Sequence, residues 1–263
     1  MGTRKKKIIK NKTIKNKTIK NKKTLNKCKI NSIYWINLDR STERRSSMNE
    51  VLKDEVFDDM KKHRVKAFDG LDPKFEKYLQ KNVENVNLDK NTLKEYACLL
   101  SHIKAIQEFV KSGDDIAIIF EDDVSMEFKK YWKTTLEECI CNAPKDWKIL
   151  QLYYFLGPRK NLETNIYTKW HDTMWSALSY VINKKGAKQF LKHLIKNNKI
   201  SLDLPSVTSH VADVYIYSKL KTYVYKYPFF TTVSKDTTIH EEHIHLNFHK
   251  KNKKRMSELL KNS

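Results

Sequence analysis

The sequence predicts an α/β protein with a mostly parallel central sheet, and three observations carry that expectation. Apolar runs long enough for one strand alternate with segments whose apolar residues recur at helical spacing. The run Ile116-Ala117-Ile118-Ile119-Phe120 stops at three consecutive carboxylates, Glu121, Asp122 and Asp123. In open α/β sheets ligands bind beyond the carboxyl ends of strands, where such acids would face them. With 263 residues, 40% of them hydrophobic and 11% aromatic, the chain can fill one sizeable core.

In chain order, residues 32–38 read as the first strand. Met48, Val51, Leu52, Val56 and Met60 then fall on one face of a helix. Residues 64–68 form a second strand, closed by Asp69-Gly70. Thr92 and Glu95 have capping-box spacing, so a helix starts there and runs through Val110, burying Leu99, Ile103 and Ile106 with it. Gly113-Asp114-Asp115 ends that helix, and the acidic strand follows. After one more helix, residues 147–155 and 174–182 read as strands. Ala187, Phe190, Leu191, Leu194 and Ile195 mark the buried face of a later helix. Val207, Val211, Val214, Tyr215 and Ser218 have helical spacing, which puts Asp213 on that element.

The formal charge of +21 would suggest a nucleic-acid binder, but its distribution argues otherwise. Residues 1–29 hold thirteen Lys and Arg and no acid, residues 250–263 are also basic, and the body between carries only about +3. The N-terminal tail repeats Lys-Asn-Lys-Thr-Ile from Lys10 and again from Lys15, too short a period to bury a face. It is expected to be disordered, with polyanion or membrane-surface contact as its one suggested role. The expected layout is a tail over 1–29, a single domain over 30–249 and a basic C-terminal tail over 250–263. No stretch has the apolar length of a membrane span, and Cys28, Cys98, Cys139 and Cys141 form neither a disulfide framework nor a CxxC pair. A soluble protein of a reducing, cytoplasmic compartment is expected.

Carboxylates held at a strand end make a hard-oxygen site for Mg²⁺ or Mn²⁺ that also bridges phosphates. The other reading of the triplet is a helix cap. Asn37, Asp39 and Arg40 lie at the end of the first strand, where a base or ribose would be held, and Arg44 or Arg45 reaches for a phosphate. Ser101 and His102 are polar within a helix, either as a buried hydrogen-bonded pair or in contact with a donor. His240, His243, His245 and His249 invite a zinc reading, but His240 and His243 are three apart rather than four. A single histidine completing the metal shell is the stronger alternative.

Six segments in order resemble the family 25 glycosyltransferases. They are Ile36-Asn37-Leu38-Asp39-Arg40-Ser41 with Arg44-Arg45, Arg64 to Gly70, Glu95 to His102, Phe120 to Val124, Ala177 to Ile182 followed by Gly186-Ala187, and Asp213 with the closing Tyr227-Pro228 to Thr238-Ile239. The resemblance implies a GT-A-type fold, a nucleotide-sugar donor and transfer with inversion at the anomeric carbon. It places Glu121 and Asp123 on a divalent cation, Asp123 first, with Asn37, Asp39, Arg40, Arg44, Ser101, His102 and Asp122 around the donor. An inverting transfer needs a base opposite the leaving diphosphate, and Asp213 is the candidate. A metal ligand or a buried helix carboxylate is the other reading of Asp213. The expected reaction moves galactose or glucose from its UDP form to a hydroxyl of a glycan or protein, with Mn²⁺ or Mg²⁺. Two rival readings are a non-catalytic module of the same fold and a nucleic-acid-binding protein acting through the tail. Lys148 and the bulky Gln151-Leu152-Tyr153-Tyr154-Phe155 depart from the family pattern and imply an altered acceptor or sugar pocket. Tyr153, Tyr154, Trp170 and Trp175 offer sugar-stacking faces or ordinary core.

Overall fold

A computed structural model describes residues 28–156, 165–203, 209–233 and 243–263, the side chains of 156 and 243–248 excepted. The basic tail up to residue 27, Val207, and the side chains of His240, His243 and His245 lie outside the described residues.

Seven strands make the central sheet: β1 (Ser32–Asn37), β2 (Lys61–Lys66), β3 (Ile116–Glu121), β4 (Ile149–Gln151), β5 (Tyr167–Lys169), β6 (Ser179–Asn183) and β7 (Thr222–Tyr225). They are ordered β2-β1-β3-β6-β4-β7-β5. β2, β1, β3, β4 and β7 run one way, whereas β6 opposes β3 and β4, and β5 opposes β7. The sheet is mostly parallel, as expected. The described helices are α1 (Thr42–Val51), α2 (Pro73–Asn82), α3 (Leu93–Ser112), α4 (Leu136–Asn142), α5 (Lys184–Leu194), α6 (Ala212–Ser218) and α7 (His243–Lys261).

Side-chain alternation on the central strands feeds two cores, one on each face. Tyr34 and Ile36 of β1, with Ala117 and Ile119 of β3, pack under α3, α5 and α6. Ile33 and Trp35, with Ile116, Ile118 and Phe120, pack on the opposite face with Met48 of α1 and Leu136 and Ile140 of α4. α3 is the longest of the helices on the first face. Thr92 and Glu95 close the capping box that starts it, and Gly113 at φ +82° ends it in the left-handed region.

Several boundaries differ from the sequence reading. The helix expected to carry Met48 through Met60 stops at Val51, and Asp54 caps a separate 3₁₀ turn, Glu55–Phe57, accepting from Val56 N at 3.0 Å. β2 begins at Lys61 rather than 64; it is an edge strand whose outward lysines hide it from an apolar scan. Residues 174–182 do not form one strand, because Ser176 at φ +100° separates the short pairing at Met174–Trp175 from β6. The helix carrying Asp213 starts at Ala212, with Val211 as its extended cap.

Two further features go beyond the sequence reading. Cys28 and Cys141 form a disulfide across 113 residues, at a Cα–Cα distance of 5.4 Å. The fold brings together two cysteines whose spacing in sequence carries no pairing signal, a pair that the absence of a framework pattern did not announce. Residues 250–263, read as a basic C-terminal tail, lie mostly within α7. Met256 and Leu260 are buried there beside Phe128, Tyr154 and Met174. Asn252 donates to Tyr153 OH at 3.2 Å and Tyr154 O at 3.1 Å. The lysines that suggested a tail occupy the remaining faces; Lys253 reaches Glu127 at 2.5 Å. Among the described residues no helix is long and apolar enough to cross a membrane.

Met256→Ala should therefore destabilise the protein by about 2–5 kcal/mol, the usual cost of emptying a buried methionine site. Equilibrium urea unfolding measures it; a change within about 0.5 kcal/mol, typical of surface positions, would show that α7 is not part of the core.

Candidate functional site

The three acids at the end of β3 are held by three different neighbours. β3 is flanked by β1 and β6, so its carboxyl end faces the end of β1 and the backbone that enters β6. Glu121 N donates to Leu178 O at 3.0 Å, and Val233 N donates to Asp123 O at 2.8 Å. The short strand Val124–Ser125 then pairs with Thr231–Thr232. These bonds fix the backbone of the triplet on both sides.

Asp122 turns toward β1. Asn37 Nδ2 donates to Asp122 Oδ2 at 2.6 Å and Arg44 donates to Oδ1 at 3.0 Å, in a largely buried setting. Asn37 uses all its hydrogen-bonding capacity: its second N–H goes to Ser41 O, and its Oδ1 accepts from Arg45 Nε at 3.1 Å and Arg64 Nε at 3.0 Å. Asp39 sits beyond, accepting from Arg64 and Lys66 at 2.6 Å each. Those two hydrogen bonds, Lys66 first, hold its pKa down at about 2. Arg40 pairs with Asp69 at 2.6 Å, tying the end of β1 to the turn after β2.

Glu121 turns toward α3. His102 Nε2 lies 3.1 Å from its Oε1 and Cys98 Sγ lies 3.9 Å from the same oxygen. The capping box sets where α3 starts, so Cys98 and His102, one turn apart, share the face that meets β3. Ser101 stands between them with its hydroxyl engaged twice, donating to Ala97 O at 2.6 Å and accepting from Phe68 N at 2.9 Å. It fastens the loop after β2 onto α3. That loop comes so close that a Cβ at Gly70 would stand 2.6 Å from Lys94 Cα, a clash that demands glycine.

Asp123 has the least compensated carboxylate. Thr232 Oγ1 donates to its Oδ2 at 3.0 Å, while Oδ1 is buried without a hydrogen-bond partner among the described residues. Burial and the adjacent charge of Glu121 push its pKa up to about 7, with Arg44 opposing. Burial works against the charge of Arg44, yet Asp123, Asp122 and Glu121 together raise its pKa. Together these groups lie at an open cleft walled by Arg40, Arg44, Lys94, Ser101, His102 and the three acids. A buried, unpartnered carboxylate oxygen beside a second carboxylate is a fitting donor set for a hard divalent cation. The arginines and the lysine suit phosphates.

Of the sequence-derived candidates, the structure brings Asn37, Arg40, Arg44, Ser101, His102, Glu121, Asp122 and Asp123 to this one cleft. Asp39 is beside it, held by Arg64 and Lys66. Asp213 lies outside the cleft lining, on α6. Its Oδ2 accepts from Ser176 N at 2.6 Å and its Oδ1 from Val214 N at 2.8 Å. Burial raises its pKa, the two backbone N–H groups oppose that, and the charge of Glu121 adds to it. Tyr153 and Tyr154 are core rather than stacking faces, at 1% and 2% exposure, whereas Trp175 is 41% exposed. Of the C-terminal histidines, His249 is described, packed edge-on against Phe155. The sequence reading missed Cys98, Arg64, Lys66 and Thr232 as site residues. Cys98 was legible from its i, i+4 relation to His102, and Arg64 and Lys66 from their i, i+2 relation on one strand. Nothing local marks Thr232.

An α/β sheet whose central strand ends in acids beside an arginine-walled cleft has the chemistry suited to an anionic ligand and a cation. The comparisons give that arrangement a family. The model of "Glycosyltransferase family 25 (LPS biosynthesis protein)" matches residues 30–205. An Aedes aegypti protein named "Glycosyltransferase 25 family member" is 26% identical over 176 residues. The match covers 62% of this chain and 28% of that relative, so the chain spans under a third of its length. The chain belongs to glycosyltransferase family 25.

The raised pKa of Asp123 makes a signed prediction. From the ordinary carboxylate range up to about pH 7, the native state keeps a proton that the unfolded chain has released, so stability falls as pH rises through that window. Asp123→Asn cannot titrate. In EDTA its melting temperature relative to wild type should therefore climb steadily between about pH 4 and about pH 8. A difference that is flat with pH would place Asp123 in an ordinary, solvated environment.

Proposed function

We propose that the chain is an inverting, GT-A-type glycosyltransferase that moves a hexose, galactose or glucose, from a UDP-sugar to a hydroxyl of a glycan or protein. The observation that carries this reading is the Asp123 carboxylate, with one buried oxygen unpartnered among the described residues, beside Glu121 in a cleft walled by Arg40, Arg44 and Lys94. Family membership supports the transfer reaction, and the acidic pair supports the cation.

In this reading Asp123 and Glu121 would hold Mn²⁺ or Mg²⁺, which would supply Lewis-acid stabilisation of the charge on the departing diphosphate. Arg44, kept protonated by the acids around it, and Arg40 bind phosphate oxygens. Asn37 and Asp39, fixed by Arg45, Arg64 and Lys66, present the end of β1 to the ribose and base. Asp122 anchors Asn37 and Arg44 rather than the ligand itself. Ser101 and His102 position the donor wall from α3: Ser101 through Phe68, His102 through Glu121.

Asp213 is the proposed base. Each of its oxygens accepts one backbone N–H and keeps a second lone pair, and its raised pKa favours taking a proton from the acceptor hydroxyl. A second reading has its own support: by binding Ser176 N, Asp213 holds Ser176 at φ +100°, which makes it a positioning residue for the segment beside Trp175.

Two experiments test these roles. In a screen of UDP-sugars for donor hydrolysis and thermal stabilisation, Mn²⁺ should be required and EDTA should abolish both. Saturating donor at a hundredfold excess over Kd adds about 2.7 kcal/mol of stability. Asp123→Ala should weaken Mn²⁺-dependent UDP binding more than about 100-fold, since even outer-shell changes at metal sites cost 10–100-fold. Wild-type binding by that variant at limiting metal would remove Asp123 from the site. Asp213→Asn should lower kcat by about 10²–10⁴ while UDP affinity holds. Near-normal kcat would eliminate the base role, and lost Mn²⁺-dependent UDP binding would move Asp213 to the cation.

A further inference from the structure

The floor of the cleft contains a ligand set that a hard cation and a nucleotide do not call for. Cys98 and His102 project from one face of α3, and Glu121 meets them from the end of β3. Cys98 Sγ, His102 Nε2 and a Glu121 oxygen all lie within 4.8 Å of one another. Around a tetrahedral Zn²⁺ with bonds of about 2.0–2.3 Å, ligand atoms stand about 3.3–3.6 Å apart. The separations from Glu121 Oε1, 3.1 Å to His102 and 3.9 Å to Cys98, are within a few tenths of an ångström of that range. Those two separations need to change by a few tenths of an ångström, and the third, Cys98 to His102, closes from within 4.8 Å.

A second, independent feature comes from the other side of the imidazole. His102 Nδ1 lies 3.2 Å from the hydroxyl of Tyr180, a residue with no exposed surface. Metal-binding histidines ordinarily engage a partner through the ring nitrogen that faces away from the ion, which fixes ring orientation and tautomer. Thiolate with imidazole selects a softer cation than Mn²⁺ or Mg²⁺, and three protein ligands with one side facing a cleft leave a coordination position open.

We infer that Cys98, His102 and Glu121 form a Zn²⁺ site in the floor of the cleft, sharing Glu121 with the hard-cation pair. On binding, Zn–S, Zn–N and Zn–O bonds form, the Cys98 S–H bond breaks, and its proton passes to solvent. Affinity for Zn²⁺ therefore rises with pH, by about tenfold per unit while the free thiol stays protonated. Glu121 cannot serve both cations at full strength, so Zn²⁺ inhibits the transferase; this consequence alone rests on the proposed function.

The test uses the full chain, stripped of metal and without nucleotide, titrated with Co²⁺ as a spectroscopic probe and then with Zn²⁺. A thiolate-to-Co²⁺ charge-transfer band should appear, be bleached by Zn²⁺, and vanish in Cys98→Ser. Cys139→Ser, which removes the buried free thiol on α4, should keep it. His102→Gln should weaken Zn²⁺ binding at least about 100-fold with the fold checked by circular dichroism. The C-terminal histidines can bind cobalt but cannot give a thiolate band. Absence of the band in folded wild type, or its persistence in Cys98→Ser, overturns the assignment. Because no UDP is present, such a failure leaves Mn²⁺-dependent donor binding to stand or fall by its own experiment.

Discussion

The contact between Asp122 and the pair Asn37 and Arg44 is the constraint on which the rest of the cleft depends. Three adjacent carboxylates repel one another; at an effective dielectric of about 20, two unit charges 4 Å apart cost about 4 kcal/mol. Asp122 relieves this by turning toward β1, where an amide and a guanidinium take both its oxygens. Its neighbours, Glu121 at the end of β3 and Asp123 in the turn that follows, go to other partners. Glu121 meets α3, and Asp123 meets Thr232 with one oxygen left over. One ion pair and one amide hydrogen bond thus join α1 and β1 to the end of β3, and among the described residues Asp123 Oδ1 is left without a partner.

The surrounding structure holds that arrangement rigid. Asn37 uses both its N–H groups and both lone pairs, so its orientation admits no alternative. Ser101 ties the loop after β2 to α3, and Gly70 permits the backbone approach that lets the loop close against Lys94. The cleft is accordingly a joint between the ends of β1 and β3 and the first half of α3, each set in place by a large apolar core. Reorganising it would require breaking buried hydrogen bonds rather than moving a surface loop.

Much of this was legible in the sequence because its signals were local. The capping box at Thr92 and Glu95, the apolar run into Glu121 and the glycine at 113 each specify a boundary through a short-range mechanism. The elements that were missed depend on tertiary context. β2 is an edge strand with exposed lysines, α7 buries only part of a strongly basic helix, and Cys28 meets Cys141 only after the sheet has formed. At the site, residue types next to the acidic triplet were found, while Thr232 and the second pairing of Asn37 with Arg64 come from chain separations that periodicity cannot see. The placement of Asp213 shows the same limit: helical spacing put a carboxylate on a helix, but its engagement with Ser176 N follows from a positive φ that sequence pattern does not announce.

The central proposal is that Asp123 and Glu121 together complete a divalent-cation site at the end of β3. Anomalous diffraction at the manganese edge, from crystals of the full chain holding Mn²⁺ and UDP, addresses it most directly. The proposed arrangement puts a single strong peak in the cleft in contact with the otherwise unpartnered Asp123 Oδ1 and with Glu121, bridging to the diphosphate beside Arg44. UDP bound in the cleft with no manganese peak against Asp123, or manganese held away from the triplet, would contradict it.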